Sequence, residues 1–186
     1  MILSPTLSTS VLGKYMNFVF VETGTYLGGG VQVALNTGFQ EIHSIEKHEP
    51  FYRDAKILFA NYDNVNLYLG DTLDLLEGII SEIYEPITFW LDGHEHPDGA
   101  SGKVRVPIME ELAIIKRHHI KTHKLLIDDI GLCETVHSNW MGDSWKAIKL
   151  ENIKKAVLDI NSGYSFNYED HVPSGIKNGI LGAVVK

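Results

Sequence analysis

Acidic residues follow most of the apolar segments of the sequence, at the point where each segment ends. These residues are Glu22, Glu46, Asp71, Asp92, Asp128 and Asp129. Carboxylates accept hydrogen bonds from hydroxyl groups, attract organic cations and bind hard metal ions through oxygen. The acids can act as one site only if they lie together, so the elements that carry them decide whether they do.

The apolar segments alternate with amphipathic stretches, which predicts strands that alternate with helices. Strands are predicted over residues 17–22, 41–46, 64–69, 87–92, 124–128, 164–168 and 180–185. Helices are predicted over residues 29–37, 50–61, 72–84 and 106–119, with a last helix that Asp143 caps and that reaches residue 160. This order predicts an α/β fold with a single-domain, doubly wound, mostly parallel seven-stranded sheet. Residues 17–186 are expected to form that domain, after an N-terminal segment over residues 1–16.

The loop after the first predicted strand, Glu22 to Gly28, is rich in glycine and leads into a helix. Such a helix N-terminus can bind phosphate, but the dinucleotide pattern G-x-G-x-x-G is broken because Tyr26 takes the place of its second glycine. Glu22 and Asp71 would also repel a pyrophosphate. A ligand with a cationic end, two ribose hydroxyls and an adenine suits the same acids better.

The segment F-V-F-V-E-T-G-T-Y-L-G over residues 18–28 resembles the first signature of the class I S-adenosylmethionine-dependent methyltransferases. Ser44-Ile45-Glu46 and Gly70-Asp71 stand at the matching ends of the next two strands. The resemblance implies a Rossmann-like methyltransferase fold, with Glu46 at the ribose hydroxyls and Asp71 beside the adenine. The cofactor-binding residues that it implies are Glu22, Thr23, Gly24, Thr25, Gly28, Glu46, Gly70, Asp71 and Asp92. Taken singly, Glu46 or Asp71 is equally compatible with a helix cap or a solvated loop.

Asp92, Asp128 and Asp129 end two strands that are expected to be neighbours, and their charges repel one another unless a cation lies between them. Oxygen ligands select Mg²⁺ first and Ca²⁺ or Mn²⁺ next. The pattern is similar to that of metal-dependent O-methyltransferases of the macrocin and catechol types. That resemblance implies a metal on these three residues, where it would orient a substrate hydroxyl and lower its pKa. The alternative is that Asp128 or Asp129 caps a turn after its strand.

Asp92 and His94 are the candidate catalytic residues, and His94 is a candidate general base because an imidazole can accept a proton near neutral pH. The segment around them resembles a bacterial branch of the same class, in which D-G-H-x-x-G-G is common. Here His94 is followed by Glu95-His96-Pro97-Asp98-Gly99. Two alternatives are a surface histidine bonded within its loop and a zinc site on Asp92, His94, His96 and Asp98. The remaining histidines are predicted to be bystanders: His43, His48, His118, His119, His123, His137 and His171.

Composition limits the function further. A net charge of −8 opposes general binding to nucleic acids and to anionic membranes. The basic cluster from Lys116 to Lys124 is interpreted as a solvated helix end. The single cysteine, Cys133, excludes an intrachain disulfide, and no motif around it indicates a nucleophile. No signal peptide or membrane span is predicted, so a cytoplasmic location is expected.

Trp90 is predicted to lie in the core, whereas Trp140 and Trp145 could line a pocket or anchor the last helix. The sequence as a whole predicts S-adenosylmethionine-dependent methylation of a small-molecule hydroxyl, on a sugar or natural product, with possible assistance from a divalent metal. Two alternatives stay open: a non-catalytic module with a methyltransferase-like fold, and, less favoured, a nicotinamide-dependent oxidoreductase. The methyl acceptor and homodimer formation are also left open.

Overall fold

The structure is a computed structural model, and it describes residues 6–94, 103–134, 145–171 and 175–186. One seven-stranded sheet runs through it, with strand order β3-β2-β1-β4-β5-β7-β6. The strands are β1 (Val19–Thr23), β2 (Glu41–Glu46), β3 (Val65–Leu69), β4 (Ile87–Leu91), β5 (Lys124–Ile127), β6 (Tyr164–Glu169) and β7 (Ile180–Val185). The first five are parallel, and β7 runs antiparallel to both β5 and β6. The predicted α/β fold is confirmed.

The helices are α1 (Thr9–Leu12), α2 (Gly29–Thr37), α3 (Glu49–Leu58), α4 (Thr72–Ser81), α5 (Ile108–Arg117) and α6 (Leu150–Ile160). Two short 3₁₀ turns follow Leu12 and Asp129. The four-residue α1, which the Ser8 side chain caps through the Val11 N–H, is too short to show a helical period and was not predicted. None of the helices in the described ranges is both long and apolar enough to cross a bilayer.

The predicted start of the last helix is wrong. Helix α6 begins at Leu150, with Lys149 as its N-cap in an extended conformation. The preceding turn is held because the Glu134 N–H donates to the carbonyl groups of Trp145 and Ile148, so the chain is not yet helical there. Asp143 lies outside the described residues and is too far upstream to cap this helix.

Two apolar clusters cover the two faces of the sheet. Val21, Phe89 and Leu125 face the cluster built with α4, α5 and α6. Phe20 and Trp90 face the one built with α1, α2 and α3. Strands buried on both faces explain the nearly continuous apolar runs in the sequence. The N-terminal segment joins the second cluster through Leu7, Val11, Leu12 and Tyr15.

The strand order reverses between β1 and β4, because the chain moves outward from β1 to β3 and then returns to add β4 on the other side. In open α/β sheets a crevice for ligands forms at the carboxyl ends of the two strands on either side of such a reversal. The residues that follow β1 and β4 therefore define the place to look for a site.

Candidate active site

A cleft of about 700 Å³, measured out to its solvent opening, lies at this point of the sheet. Its lining comes from the ends of β1, β2, β3 and β4 and from the first turn of α3, and it includes Gly24, Tyr26, Glu46, Phe51, Asp71 and Asp92. A second, adjoining pocket is lined by Thr6, Leu7, Glu22, Gly30, Trp90 and Asp92. The structure thus brings most of the predicted cofactor-binding acids to one edge of the sheet.

The glycine loop passes directly over the ends of β2 and β4. The N–H groups of Gly24 and Thr25 donate to the Ile45 carbonyl at 3.0 and 3.2 Å. Gly24 has φ +85°, and a Cβ built on it would lie only 2.6 Å from the Asp92 carbonyl oxygen. Only glycine fits there without displacing the backbone that carries Asp92.

Tyr26 occupies the place of the second fingerprint glycine and adopts φ +47°, which is uncommon for a residue with a side chain. Its N–H donates to Glu46 Oε2 at 2.7 Å, and Glu46 Oε1 accepts the His48 N–H at 2.6 Å. Burial raises the pKa of Glu46, and these backbone donors oppose that shift. Glu46 is thereby held rigidly at the wall of the cleft.

Glu22 is almost fully buried and belongs to a short chain of hydrogen bonds. Ser44 Oγ donates to Glu22 Oε2 at 2.5 Å, and Thr25 Oγ1 lies 2.6 Å from Ser44 Oγ. Because Ser44 has one hydroxyl proton, the Thr25 hydroxyl must donate to it. Burial raises the pKa of Glu22 well above its usual value. A Cβ on Gly30 would overlap Glu22 Oε1, so the start of α2 approaches this carboxyl closely.

Asp71 both caps helix α4 and lines the cleft. A helix cap and a cofactor-binding residue are therefore compatible interpretations of it. Oδ1 accepts the Leu73 N–H at 3.0 Å, while Oδ2 accepts the Lys103 N–H at 2.5 Å. Burial acts to raise the pKa of Asp71, but these N–H groups and the Lys47 ammonium hold it below its usual value. The neighbouring Gly70 donates its N–H to the Glu46 carbonyl, which ties this turn to the end of β2.

Two aromatic rings that line the cleft, Tyr26 and Phe51, and a third that packs on Phe51, His48, were not among the predicted site residues. The Tyr26 and Phe51 rings meet edge to face at a centroid distance of 4.7 Å, and the His48 ring lies 4.6 Å from Phe51. The available sequence signal was their position, since all three lie in the glycine loop or directly after the acid that ends β2.

His94 lies between two of the predicted metal ligands. Its Nε2 is 3.0 Å from Asp92 Oδ1 and 3.0 Å from Asp129 Oδ2. Burial alone would lower the pKa of His94, but the two carboxylates raise it well above its usual value. The two carboxylates therefore favour the cationic form of the imidazole. The Trp145 ring is 5.4 Å away, edge to face.

Asp128 is buried, and both of its carboxylate oxygens are engaged. Oδ1 accepts a hydrogen bond from His171 Nε2 at 2.6 Å, and Oδ2 accepts one from the Thr6 hydroxyl at 2.8 Å. Asp128, Asp129 and His171 each offer one ligand atom, all within 4.8 Å of one another. The predicted third ligand, Asp92, is linked to Asp129 through His94, whose Nε2 is 3.0 Å from an oxygen of each.

His171 does not stand alone or on a polar face, as the sequence suggested, because it pairs with Asp128 inside the protein. His118 and His123 are also buried and hydrogen-bonded to each other, remote from the cleft. Cys133 is half-buried with a pKa raised to about 11 by burial, which makes it a poor nucleophile as expected. Trp90 and Trp145 are buried, whereas Trp140, His96, Asp98 and His137 lie outside the described residues.

No protein-family model matches the sequence, and no curated protein matches it either. Solved structures do. An O-methyltransferase from Bacillus cereus in complex with SAH aligns over 96% of this chain and 78% of its own, with 15% identity and a TM-score of 0.64. TomG from Streptomyces achromogenes, an O-methyltransferase involved in tomaymycin synthesis and solved with SAM, aligns over 97% and 78%, with 14% identity and a TM-score of 0.62.

A Streptococcus mutans protein described as a methyltransferase, in complex with SAH, is similar over 96% of this chain and 95% of its own. Its identity is 14% and its TM-score is 0.59. At such identities the similarity concerns the fold, and it agrees with the strand order and the cleft described above. The chain has the fold of the S-adenosylmethionine-dependent methyltransferases.

Proposed function

We propose that this protein transfers a methyl group from S-adenosylmethionine to a hydroxyl oxygen of a small molecule. The observation that carries the proposal is the cleft at the reversal of strand order, with a rigid carboxylate at Glu46 and a cluster of acids around Asp92. The solved structures of the same fold, several of them O-methyltransferases with bound SAM or SAH, support the choice of cofactor and reaction.

The described residues fit this cofactor. The backbone of Gly24 leaves a cradle that any Cβ would fill, and Glu46 presents fixed oxygen acceptors suited to a pair of ribose hydroxyls. Tyr26 and Phe51 add aromatic surface for a purine. The carboxyl groups of Glu22 and Asp92 suit the cationic sulfonium and ammonium groups. When bound, the cofactor supplies a methyl group activated on a sulfonium.

Asp92 and His94 have different roles at the end of the cleft where the methyl group would be transferred. Burial and the nearby charge of Asp128 raise the pKa of Asp92, so its carboxylate accepts a proton more readily than an ordinary aspartate. We assign to it the proton of the acceptor hydroxyl. His94 serves instead to offset the charges of Asp92 and Asp129 in its cationic form, which these carboxylates favour, and it becomes a base only after it has lost its proton.

We further propose that a divalent metal ion assists the reaction. Two carboxylates and an imidazole within 4.8 Å form a donor set that fits a divalent cation. Asp128 and Asp129 would hold it, with Asp92 close by on the other side of His94. Mg²⁺ is the first choice for the carboxylates, and the imidazole of His171 makes Mn²⁺ a second. A cation there would lower the pKa of an acceptor hydroxyl.

Calorimetric titration with S-adenosylhomocysteine tests the proposal. The wild-type protein is expected to bind it, and Gly24→Arg is expected to abolish binding because the new side chain would fill the cradle. Gly78→Arg is the matched control, since Gly78 is exposed on α4 with nothing within 4 Å of a Cβ. A folded wild-type protein that gives no heat and no thermal stabilisation would refute the proposal. Stabilisation by NAD instead would favour the oxidoreductase, and cofactor binding without methyl transfer to a broad set of hydroxyl compounds would favour the binding module.

A further inference from the structure

Glu111 is a buried acid to which no role has been assigned so far. It lies on α5 with its side chain fully excluded from solvent, among the apolar residues Ile108, Leu112 and Ile115 of the same helix. Within the described part of the chain, neither of its carboxyl oxygens makes a hydrogen bond of normal geometry. A buried polar group in this condition costs folding free energy, so its presence calls for an explanation.

The position of the carboxyl group supplies one. A Cβ built on Gly93 would lie 3.0 Å from Glu111 Oε1 and 3.1 Å from Thr23 Oγ1, so these groups meet at one point. The same Thr23 hydroxyl accepts the Asp92 N–H at 3.2 Å. Glu111 therefore lies directly behind the turn Asp92–Gly93–His94, whose opposite side lines the cleft.

The charge state of Glu111 agrees with this position. Burial raises its pKa to about 8, although the Thr23 hydroxyl and the positive charge of His94 act in the opposite direction. At neutral pH the group is largely an uncharged carboxylic acid, which adds no further negative charge behind Asp92. Such an acid has both a donor and an acceptor with which to hold its neighbours.

We propose that Glu111 is a positioning residue of the cofactor cleft, which holds the Thr23 hydroxyl and the Gly93 backbone so that Asp92 and Gly93 face the cofactor. The inference rests on the proposed function. It assigns to Glu111 no contact with the cofactor and no part in the chemical step.

The test compares affinity for S-adenosylhomocysteine with thermal stability. Glu111→Gln keeps the shape and a polar end and is expected to bind within threefold of wild type. Glu111→Leu is expected to bind at least tenfold more weakly, with a melting temperature equal to or above that of wild type, because the cost of burying a carboxyl group has been removed. Glu110→Leu, on the exposed side of the same helix, is the matched control and should leave the affinity within twofold.

A role in packing alone makes a different prediction for Glu111→Leu, namely higher stability with unchanged affinity, and that result would overturn the inference. Failure of the wild-type protein to bind S-adenosylhomocysteine would defeat the proposed function itself, whatever the variants do.

A double-variant cycle covers the case in which Glu111→Leu does not fold. Glu111→Met and Thr23→Val are each expected to weaken binding. If Glu111 acts through Thr23, the affinity of the double variant for S-adenosylhomocysteine should lie within twofold of the affinity of the single variant that binds less tightly. A loss equal to the product of the two single losses would show that the residues act separately and would overturn the inference.

Discussion

His171 Nε2 donates a hydrogen bond of 2.6 Å to Asp128 Oδ1, and both side chains are almost completely excluded from solvent. The two residues are far apart in the sequence, and they meet because β7 places the end of β6 beside the end of β5. The other oxygen of Asp128 accepts the Thr6 hydroxyl. One buried carboxylate thus joins the N-terminal segment, the sheet and the turn after β6.

Removal of the imidazole should destabilise the protein strongly. We expect His171→Ala to lower the free energy of unfolding by about 3–5 kcal/mol, because it leaves the buried Asp128 without its partner. Asp128→Asn combined with His171→Ala should lose less than the sum of the two single losses. Urea unfolding at pH 7 measures both values, with the exposed His119→Ala as the control. A loss below about 1 kcal/mol for His171→Ala would contradict a buried pair.

This pair also shows what the sequence could and could not predict. The position of Glu22, Glu46 and Asp71 at one edge of the sheet could be predicted, because the carboxyl ends of parallel strands share one edge and strand positions follow from apolar runs. His171 follows β6, which runs parallel to β5 but lies two places away from it, with the antiparallel β7 between them. Nothing in the local pattern of residues 164–171 specifies that placement, which depends on pairing across the whole sheet.

The roles of His94 and Glu111 could not be predicted from the sequence, because they also depend on how distant parts of the chain pack together. Whether a histidine between two acids is neutral or cationic depends on distances of a few ångströms and on burial. Glu111 occupies a position in the helical pattern that is equally compatible with the polar side of α5. Only the packed structure shows that it faces inward, toward Gly93.

Acid should destabilise the protein through His118 and His123. The Ile87 N–H donates to His123 Nδ1, so His123 must donate from Nε2 to His118 Nδ1, and His118 donates in turn to the carbonyl groups of Ile80 and Ile83. This chain requires both rings to be neutral. Burial lowers the pKa of both, that of His123 to about 3.

Because these folded-state pKa values lie below the unfolded value of 6.5, the unfolded chain binds more protons as the pH falls. The stability contributed by the neutral rings is therefore complete above pH 6.5 and is lost between pH 6.5 and about 3, by on the order of 5 kcal/mol for His123. Urea unfolding across this range measures the slope, which His123→Gln should flatten and the exposed His119→Gln should not. An unchanged slope in His123→Gln would rule out this account.

Ser44 should support both the fold and the cofactor cleft. Its hydroxyl joins Thr25 to the buried Glu22, so Ser44→Ala leaves polar groups without partners and should cost about 1–3 kcal/mol of stability. Because Thr25 belongs to the glycine loop, affinity for S-adenosylhomocysteine should also fall several-fold. Ser81→Ala removes an exposed hydroxyl on α4 and is the control for both measurements. Equal behaviour of the two variants would show that this hydrogen-bond chain has no role in the cleft.

Divalent cations should stabilise the folded protein if the acids around Asp129 form the metal site proposed above. A cation that binds only the folded state raises its stability by about 2.7 kcal/mol at a concentration of 100 times its dissociation constant. Mg²⁺ and Mn²⁺ at millimolar concentrations are therefore expected to raise the melting temperature, and a chelator should reverse the effect.

Asp129→Asn is the informative variant because the side chain is only partly buried, so the protein should still fold while it loses the response. Asp159→Asn, which removes an equal charge from the exposed surface of α6, should keep the response. If the cation raises the melting temperature of none of the three proteins, or of all three equally, the result would count against the metal site. The measurement needs neither the cofactor nor an acceptor, so this result would not bear on the methyltransferase proposal.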